Sequence, residues 1–490
     1  MSAVSNEVRA HVGPSLPQAR MPLPGGVAHL AARVALSVGL SIVTGVAVAA
    51  DPITIYGTTA AAAASAGTTY TAGTIASGSA VQFDDGTIIS GSSAITINGL
   101  LQINQSATNR LIISNTIAGS GTLSLIDTNS GTLQLTGTGA TNRLIPLNMT
   151  ITTSNGRLMG PQVSGTGIET GIFQLGASGT GTLNVAGGFV TGSAWQIGVG
   201  STGVGTVNVT GGTFGPYGTL TVGGSSGGSG GTGTLTINGG VVGDNPLTPL
   251  NVGGFRFGVA QNSSGVATIT SGTLRATSIA TQDGATGSFI GLAGTGSVGL
   301  NSGYLQAGHL TLGSGSTGRG TLTIAGGSAS TNNLTIGGTG NGTLTITGGA
   351  MKSGNGTLGL ASSGTGTVTV SSGTWLVNGN GLGGESFGVL RVGGTSGGTG
   401  SLTIGNGGYV VVSSTFTTGS NGTFALNSGG TLQIGGQSGV FAPSTATGTA
   451  SSVGSGTMGV LAGNLNFAGT LKFAQNNTSG TLTSSTTPAT

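Results

Sequence analysis

The 490-residue chain has no cysteine. An exported protein of this composition must therefore be held by packing rather than by disulfides, and the thiolate ligands of structural zinc sites are missing. Charge is equally scarce: Lys and Arg number 12, Asp and Glu nine, about 4% of all residues. A charge-rich disordered tail is excluded, because that kind of disorder needs low hydrophobicity and many charges. With only 12 prolines and no glycine at every third position, the chain is not collagen-like. Arg9, Arg20, Arg33 and Glu7 lie in the first fifty residues, leaving nine basic and eight acidic residues beyond them, with the arginines spread singly. No basic stripe exists to neutralise phosphates, so nucleic acid is not an expected partner.

What the chain has is glycine, 104 of them, with Thr, Ser and Asn punctuating short runs of Leu, Ile and Val. That composition suits strands and turns. GTGTLTINGG at 231–240 returns as GTGTLNVAGG at 179, GVGTVNVTGG at 203, GRGTLTIAGG at 318 and GNGTLTITGG at 340. Openings fall at 179, 203, 231, 265, 294, 318, 340, 364 and 398, so the basal unit is 22–24 residues with occasional insertions. This is an array.

Inside each unit the apolar residues alternate. Leu235 and Ile237 face one way, Thr234 and Thr236 the other, and Val207/Val209, Leu322/Ile324, Leu344/Ile346, Val368/Val370 and Leu402/Ile404 repeat the pattern. Period two marks a strand with one buried face. A second short strand is expected 12–15 residues on in most units, at LTVGG 220, LNVGG 250, LTIGG 334 and LGLAS 358, with LRVGG 390 beyond an insertion. Glycine pairs between the strands permit sharp corners. One unit cannot bury its own apolar face, whereas stacked units can, each coil about 4.8 Å above the last. The fold class predicted is all-β, a parallel β-helix of roughly 22–24-residue coils. A propeller blade of about 40 residues is nearly twice too long.

Four segments follow. Residues 1–50 read as a signal peptide, with basic residues, the apolar run VALSVGLSIVTGVAVAA at 34–50 and small residues for cleavage near Ala49 or Ala50. A membrane anchor is the alternative, the run being at the short limit for spanning. Residues 51–165 read as irregular early coils, with ATNRL at 107–111 and 140–144 as a repeat and AAAASAG at 61–67 as a flexible run. Residues 166–440 are the regular array. Residues 441–490 are low-complexity, with LNFAGTLKFA at 465–474 as one strand pair.

The motif G-x-G-T-L-x-[IV]-x-G-G followed by L-x-[IV]-G-G, over roughly 179–436, resembles the β-strand repeats of autotransporter passenger domains of the type V secretion system. The resemblance implies a right-handed β-helix, carried through the outer membrane by a C-terminal barrel and displayed or released outside. It implies adhesion, aggregation or a scaffold role more often than catalysis. The last seventy residues hold only Phe424, Phe441, Phe467 and Phe473 as aromatics, so the girdles and strand pattern of a barrel are not found there. The expectation is a barrel on another chain or a truncated frame, with release into the periplasm if no barrel is supplied.

Chemistry has few carriers. Past the signal only His309 remains among histidines, and a Ser/His/Asp arrangement would need it with an acid such as Asp283. Nothing ties them together, and GGSSGG at 223–228 is expected by chance in this composition. Polysaccharide hydrolysis uses two carboxylates. The exported part has Asp51, Asp84, Asp85, Asp127, Asp244, Asp283, Glu169 and Glu385, of which only Asp84 and Asp85 are adjacent. Strand neighbours point to opposite faces, so convergence would require a turn. A lyase would want clustered cations, and Lys352 and Lys472 are the only lysines. Calcium-binding nonapeptides need an Asp in every glycine turn, and these turns carry Gly, Ser and Asn. No catalytic, cofactor-binding or metal residue is therefore expected, and no cofactor. Contacts are expected from the two long units, through Phe255, Arg256 and Phe257 in one and Trp375, Glu385, Phe387 and Arg391 in the other, either as exposed anchors or as padding of the core. The functional expectation is a secreted or surface-displayed adhesin or self-association scaffold acting through many weak polar contacts. Its partners would be a second copy or a host or bacterial surface glycan or protein. The alternative is a β-helical polysaccharide lyase or hydrolase.

Overall fold

The computed structural model describes residues 172–434 except 244–253, 277–286, 379–387 and a few other loop positions. It also describes short strands between 53 and 159 and between 457 and 484. All lie within one compact unit, Ser41–Thr490; residues 1–50, expected to be a signal peptide, lie outside the described residues. Every described element is a strand, no helix occurs among them, and every strand pairing is parallel. The chain is a parallel β-helix.

Each coil runs through three ladders, named here A, B and C in chain order. In the coil opening at 318, ladder A is Arg319–Ile324, and Ser328–Ile336 carries ladder B over 328–331 and ladder C over 334–336. Register passes residue for residue from coil to coil. In ladder A, Arg319–Ile324 pairs back to Thr295–Leu300 and forward to Asn341–Ile346 without a slip. One irregularity sits at Asn238, which pairs with Ser271 where Thr232–Val242 meets Ser264–Ala276.

Alternation places the core. Leu183, Val207, Leu235, Val298, Leu322, Leu344, Val368 and Leu402 share one column in ladder A and are wholly buried, as are their i+2 partners from Val185 to Ile404. Ladder C adds pairs such as Leu310/Leu312 and Leu334/Ile336, and ladder B adds a column running Val190, Phe214, Val242, Leu274, Leu305, Ala329, Met351, Trp375, Val410 and Leu432. Full burial of one such Leu or Ile is worth about 1.5–3 kcal/mol relative to exposure. Because each side chain rests on its counterpart above and below, the gain is shared between neighbouring coils.

Glycine is obligatory where ladder C turns into the next ladder A. Gly198 has φ 67°, and a Cβ there would lie 1.9 Å from the Thr232 carbonyl oxygen; at Gly205 a Cβ would lie 2.4 Å from the Gly198 nitrogen. Backbone rests directly on backbone at this corner, which explains the second glycine of each G-x-G-T phrase.

The structure corrects four readings of the sequence. Each coil has three strands, not two, the extra one being ladder B. In the unit opening at 231, ladder C is formed by Phe255–Phe257, which pairs with Leu220–Val222, beyond the LNVGG at 250 expected to form it; residues 250–253 lie outside the described ones. The two ATNRL copies are not equivalent: Arg110–Ile113 pairs with Thr132–Leu135 in ladder B, whereas Thr141–Leu144 pairs with Ile172–Leu175 in ladder C. Finally, Ala62–Ala64, inside the run read as flexible, is a strand paired with Val81–Phe83.

Candidate interaction surfaces

In ladder A the described inward positions are filled with apolar side chains, so its polar groups lie on the outward ones. On face A these form two columns. One runs Thr182, Thr206, Thr234, Val266, Ser297, Thr321, Thr343, Thr367, Ser401; the other runs Asn184, Asn208, Thr236, Thr268, Gly299, Thr323, Thr345, Thr369, Thr403. All are half-buried and none is charged. Asn208 donates to Asn184 Oδ1 at 2.8 Å, so identical side chains in register bond along the column.

Face C carries a similar amide pair, Gln174 donating to Gln196 at 2.8 Å. Further along the same outward column, the Arg256 guanidinium lies 5.7 Å over the Phe289 ring. Phe289 is 6% exposed despite its outward position, and Thr221 is 7% exposed. Burial lowers the pKa of Arg256 from its usual value.

Face B is chemically the most varied. Its outward columns run Thr273, Tyr304, Ser328, Ala350, Thr374, Tyr409 and Arg275, Gln306, Ser330, Lys352, Leu376, Val411. The Tyr304 hydroxyl is 2.7 Å from Ser330 Oγ in the next coil. Tyr409 donates in the same manner to Gln433 Oε1, and burial raises its pKa above the usual tyrosine range.

Between faces B and C runs a polar chain that crosses successive coils. The Val389 backbone N–H donates to Asn355 Oδ1 (3.1 Å), Asn355 Nδ2 to Asn333 Oδ1 (2.9 Å), and Asn333 Nδ2 lies 3.1 Å from His309 Nδ1. The backbone donor at one end fixes both amide orientations, so Asn333 must donate and His309 Nδ1 must accept. His309 is thus part of a structural ladder, half-buried.

The residues expected to make contacts divide. Phe255, Phe257 and Trp375 are 2% exposed or less and pad the core, with the two Phe rings 5.7 Å apart. The reading of Trp375 as an exposed anchor is therefore overturned. The inward phase of ladder B decides it, and that strand carries no fixed motif in the sequence. Arg391 points outward and is exposed, and Arg256 is half-buried against Phe289. Glu385 and Phe387 lie outside the described residues, as do Asp84, Asp85, Asp283 and every other acidic residue. Among the described residues no group of three or more His, Cys, Asp or Glu could hold a metal, and no helix is long and apolar enough to cross a membrane. Sequence reasoning missed the Tyr304–Ser330 and Tyr409–Gln433 pairs; the Gly-Tyr step recurring at 303–304 and 408–409 is the available signal.

Comparison with known proteins returns no match from family models, curated proteins or solved structures.

Proposed function

We propose that the chain is a secreted or surface-displayed β-helical passenger of autotransporter type, acting as an adhesin or self-association scaffold. The observation that supports this reading is the pair of uncharged columns on face A, mostly Thr, Ser and Asn, in register over nine coils. Each hydroxyl offers one weak hydrogen bond, and a row of them engages a repeating partner together, so binding grows with the number of coils engaged. A partner approaching these columns loses no ion pair and desolvates no charge.

The test is a clumping and adhesion assay on cells displaying the full chain. Displaying cells should settle or adhere, and the triple variant Thr323→Lys, Thr345→Lys, Thr369→Lys should abolish this by placing three like charges in one column. Cells that neither clump nor adhere, or a triple variant that behaves as the parent, would refute the reading.

A further inference from the structure

We propose that face A, in the block of coils opening at 318, 340, 364 and 398, binds the surface of ice. This rests on the reading of face A as the adhesive surface and names its partner. The outward columns of the block are Thr321, Thr343, Thr367, Ser401 and Thr323, Thr345, Thr369, Thr403, a hydroxyl at every position. Thr365 and Thr399 add a third hydroxyl in two of the coils. Hydroxyls therefore repeat in two directions, about 4.8 Å from coil to coil and about 6.6–6.8 Å across two residues of a strand. No register slip interrupts the ladder, so the array is a lattice and not a single row.

Three features select the partner. First, a lattice is matched in full only by a surface that also repeats in two directions. The oxygen atoms of hexagonal ice do so, at spacings close to both. A soluble glycan offers one row, and an ordinary protein surface has no such period. Second, the array carries no charge to complement. Among the described residues of ladder A, Arg319 is the only charged one, and it stands at the first position of its strand, outside both columns. Ice is neutral, so contact strips no ion of its water. Third, the side chains are held before contact. Thr is branched at Cβ and stiff at χ1, and each strand of the block is paired on both sides. The corners flanking ladder A here are only two to six residues long. The long runs 244–253, 277–286 and 379–387 each join ladder B to ladder C, so none begins or ends on this face. A rigid array lowers the ordering cost of binding.

The test is partition of the purified full chain between slowly growing polycrystalline ice and the remaining solution, with serum albumin as the reference that ice excludes. The chain should be enriched in the ice over albumin by about tenfold or more. The double variant Thr343→Tyr, Thr367→Tyr roughens the array and should fall to the albumin level, and either single substitution should give an intermediate loss. Thr335→Tyr adds the same bulk at an outward, half-buried position of face C and should partition as the parent. Unchanged melting curves identify variants that are folded. The proposal is overturned by a parent that partitions like albumin, by equal loss in Thr335→Tyr and the double variant, or by binding to crystalline cellulose without enrichment in ice. It is also overturned if the double variant dissociates a dimer of the parent and leaves ice partition unchanged, which assigns the block to a second copy. Cell clumping is measured with no ice present, so clumping without enrichment in ice overturns this proposal alone and leaves the adhesive reading standing.

Discussion

Trp375 occupies the space that a side chain at Gly356 would fill. A Cβ on Gly356 would lie 2.8 Å from Trp375 Cζ2 and 2.8 Å from Leu390 Cδ1. Gly356 stands in a ladder C column between Leu334 and Leu390, and Trp375 in ladder B of the following coil. A large inward residue on one ladder is thus matched by a missing one on another, and the indole Nε1 donates to the buried Ser353 Oγ at 3.0 Å. Gly356→Leu alone should destabilise by about 1–3 kcal/mol through overpacking. Trp375→Val alone should cost roughly 3–5 kcal/mol through a cavity and an unpaired hydroxyl. The double variant should recover part of the loss. A double-mutant cycle from denaturant unfolding measures the coupling, and strict additivity would show that the two sites do not share this space.

Thr418 is the reverse case, a polar atom in an apolar column. It is fully buried, aligned with Val392, and its Oγ1 has no hydrogen-bond partner. Thr418→Val keeps the shape and removes the unsatisfied hydroxyl, so it should stabilise by about 1–3 kcal/mol. A lower melting temperature for this variant would mean that the hydroxyl is satisfied.

The corner glycines should differ sharply from glycines in open turns. Gly198→Ala meets both the left-handed backbone and the Thr232 carbonyl, whereas Gly397, with φ 87°, has nothing within 4 Å of a built Cβ. Gly397→Ala should cost only about 1–2 kcal/mol of backbone strain. Gly198→Ala should cost more and should open the stack locally, read as new amide exchange in 204–209 and 232–237. Equal losses for the two would remove the backbone-on-backbone account of the G-x-G phrase.

Legibility in the sequence differs from ladder to ladder. Ladder A can be read because Leu-x-Ile alternation and flanking glycines recur unchanged. Ladder B cannot, because its inward residues run Phe214, Val242, Leu274, Ala329, Met351, Trp375: size varies freely as long as the opposite ladder compensates. LNVGG and FRFG both offer two apolar residues before a corner glycine, and only the pairing with Leu220–Val222 selects the second. The ATNRL repeat misleads because a short identical string does not say which side of the coil it occupies. The tyrosines of face B are marked in the sequence only by the recurring Gly-Tyr step; their partners are not, because a hydrogen bond such as Tyr304–Ser330, between residues 26 apart, needs the register first.

Tyr409 gives the alkaline response. Burial holds its pKa above the unfolded value, so the folded state prefers the neutral phenol. The contribution is whole below the unfolded pKa and is lost as pH rises through the folded one. The native chain should show a late-titrating tyrosine by absorbance, absent in Tyr409→Phe. A parent whose tyrosines all titrate together would contradict the burial.

In-register stacking itself is tested most directly by distances along one outward column. The chain has no cysteine, so a pair of spin labels can be placed without background. Thr236 and Thr403 are joined through Thr268, Gly299, Thr323, Thr345 and Thr369, six coil steps. Pulsed electron resonance on Thr236→Cys with Thr403→Cys should give a narrow distribution centred at about 29 Å. Moving the first label one coil along, Thr268→Cys with Thr403→Cys, should shorten the distance to about 24 Å, one strand spacing less. A broad distribution, or two distances that do not differ by one coil, would contradict the stacked helix on which the surface assignments stand.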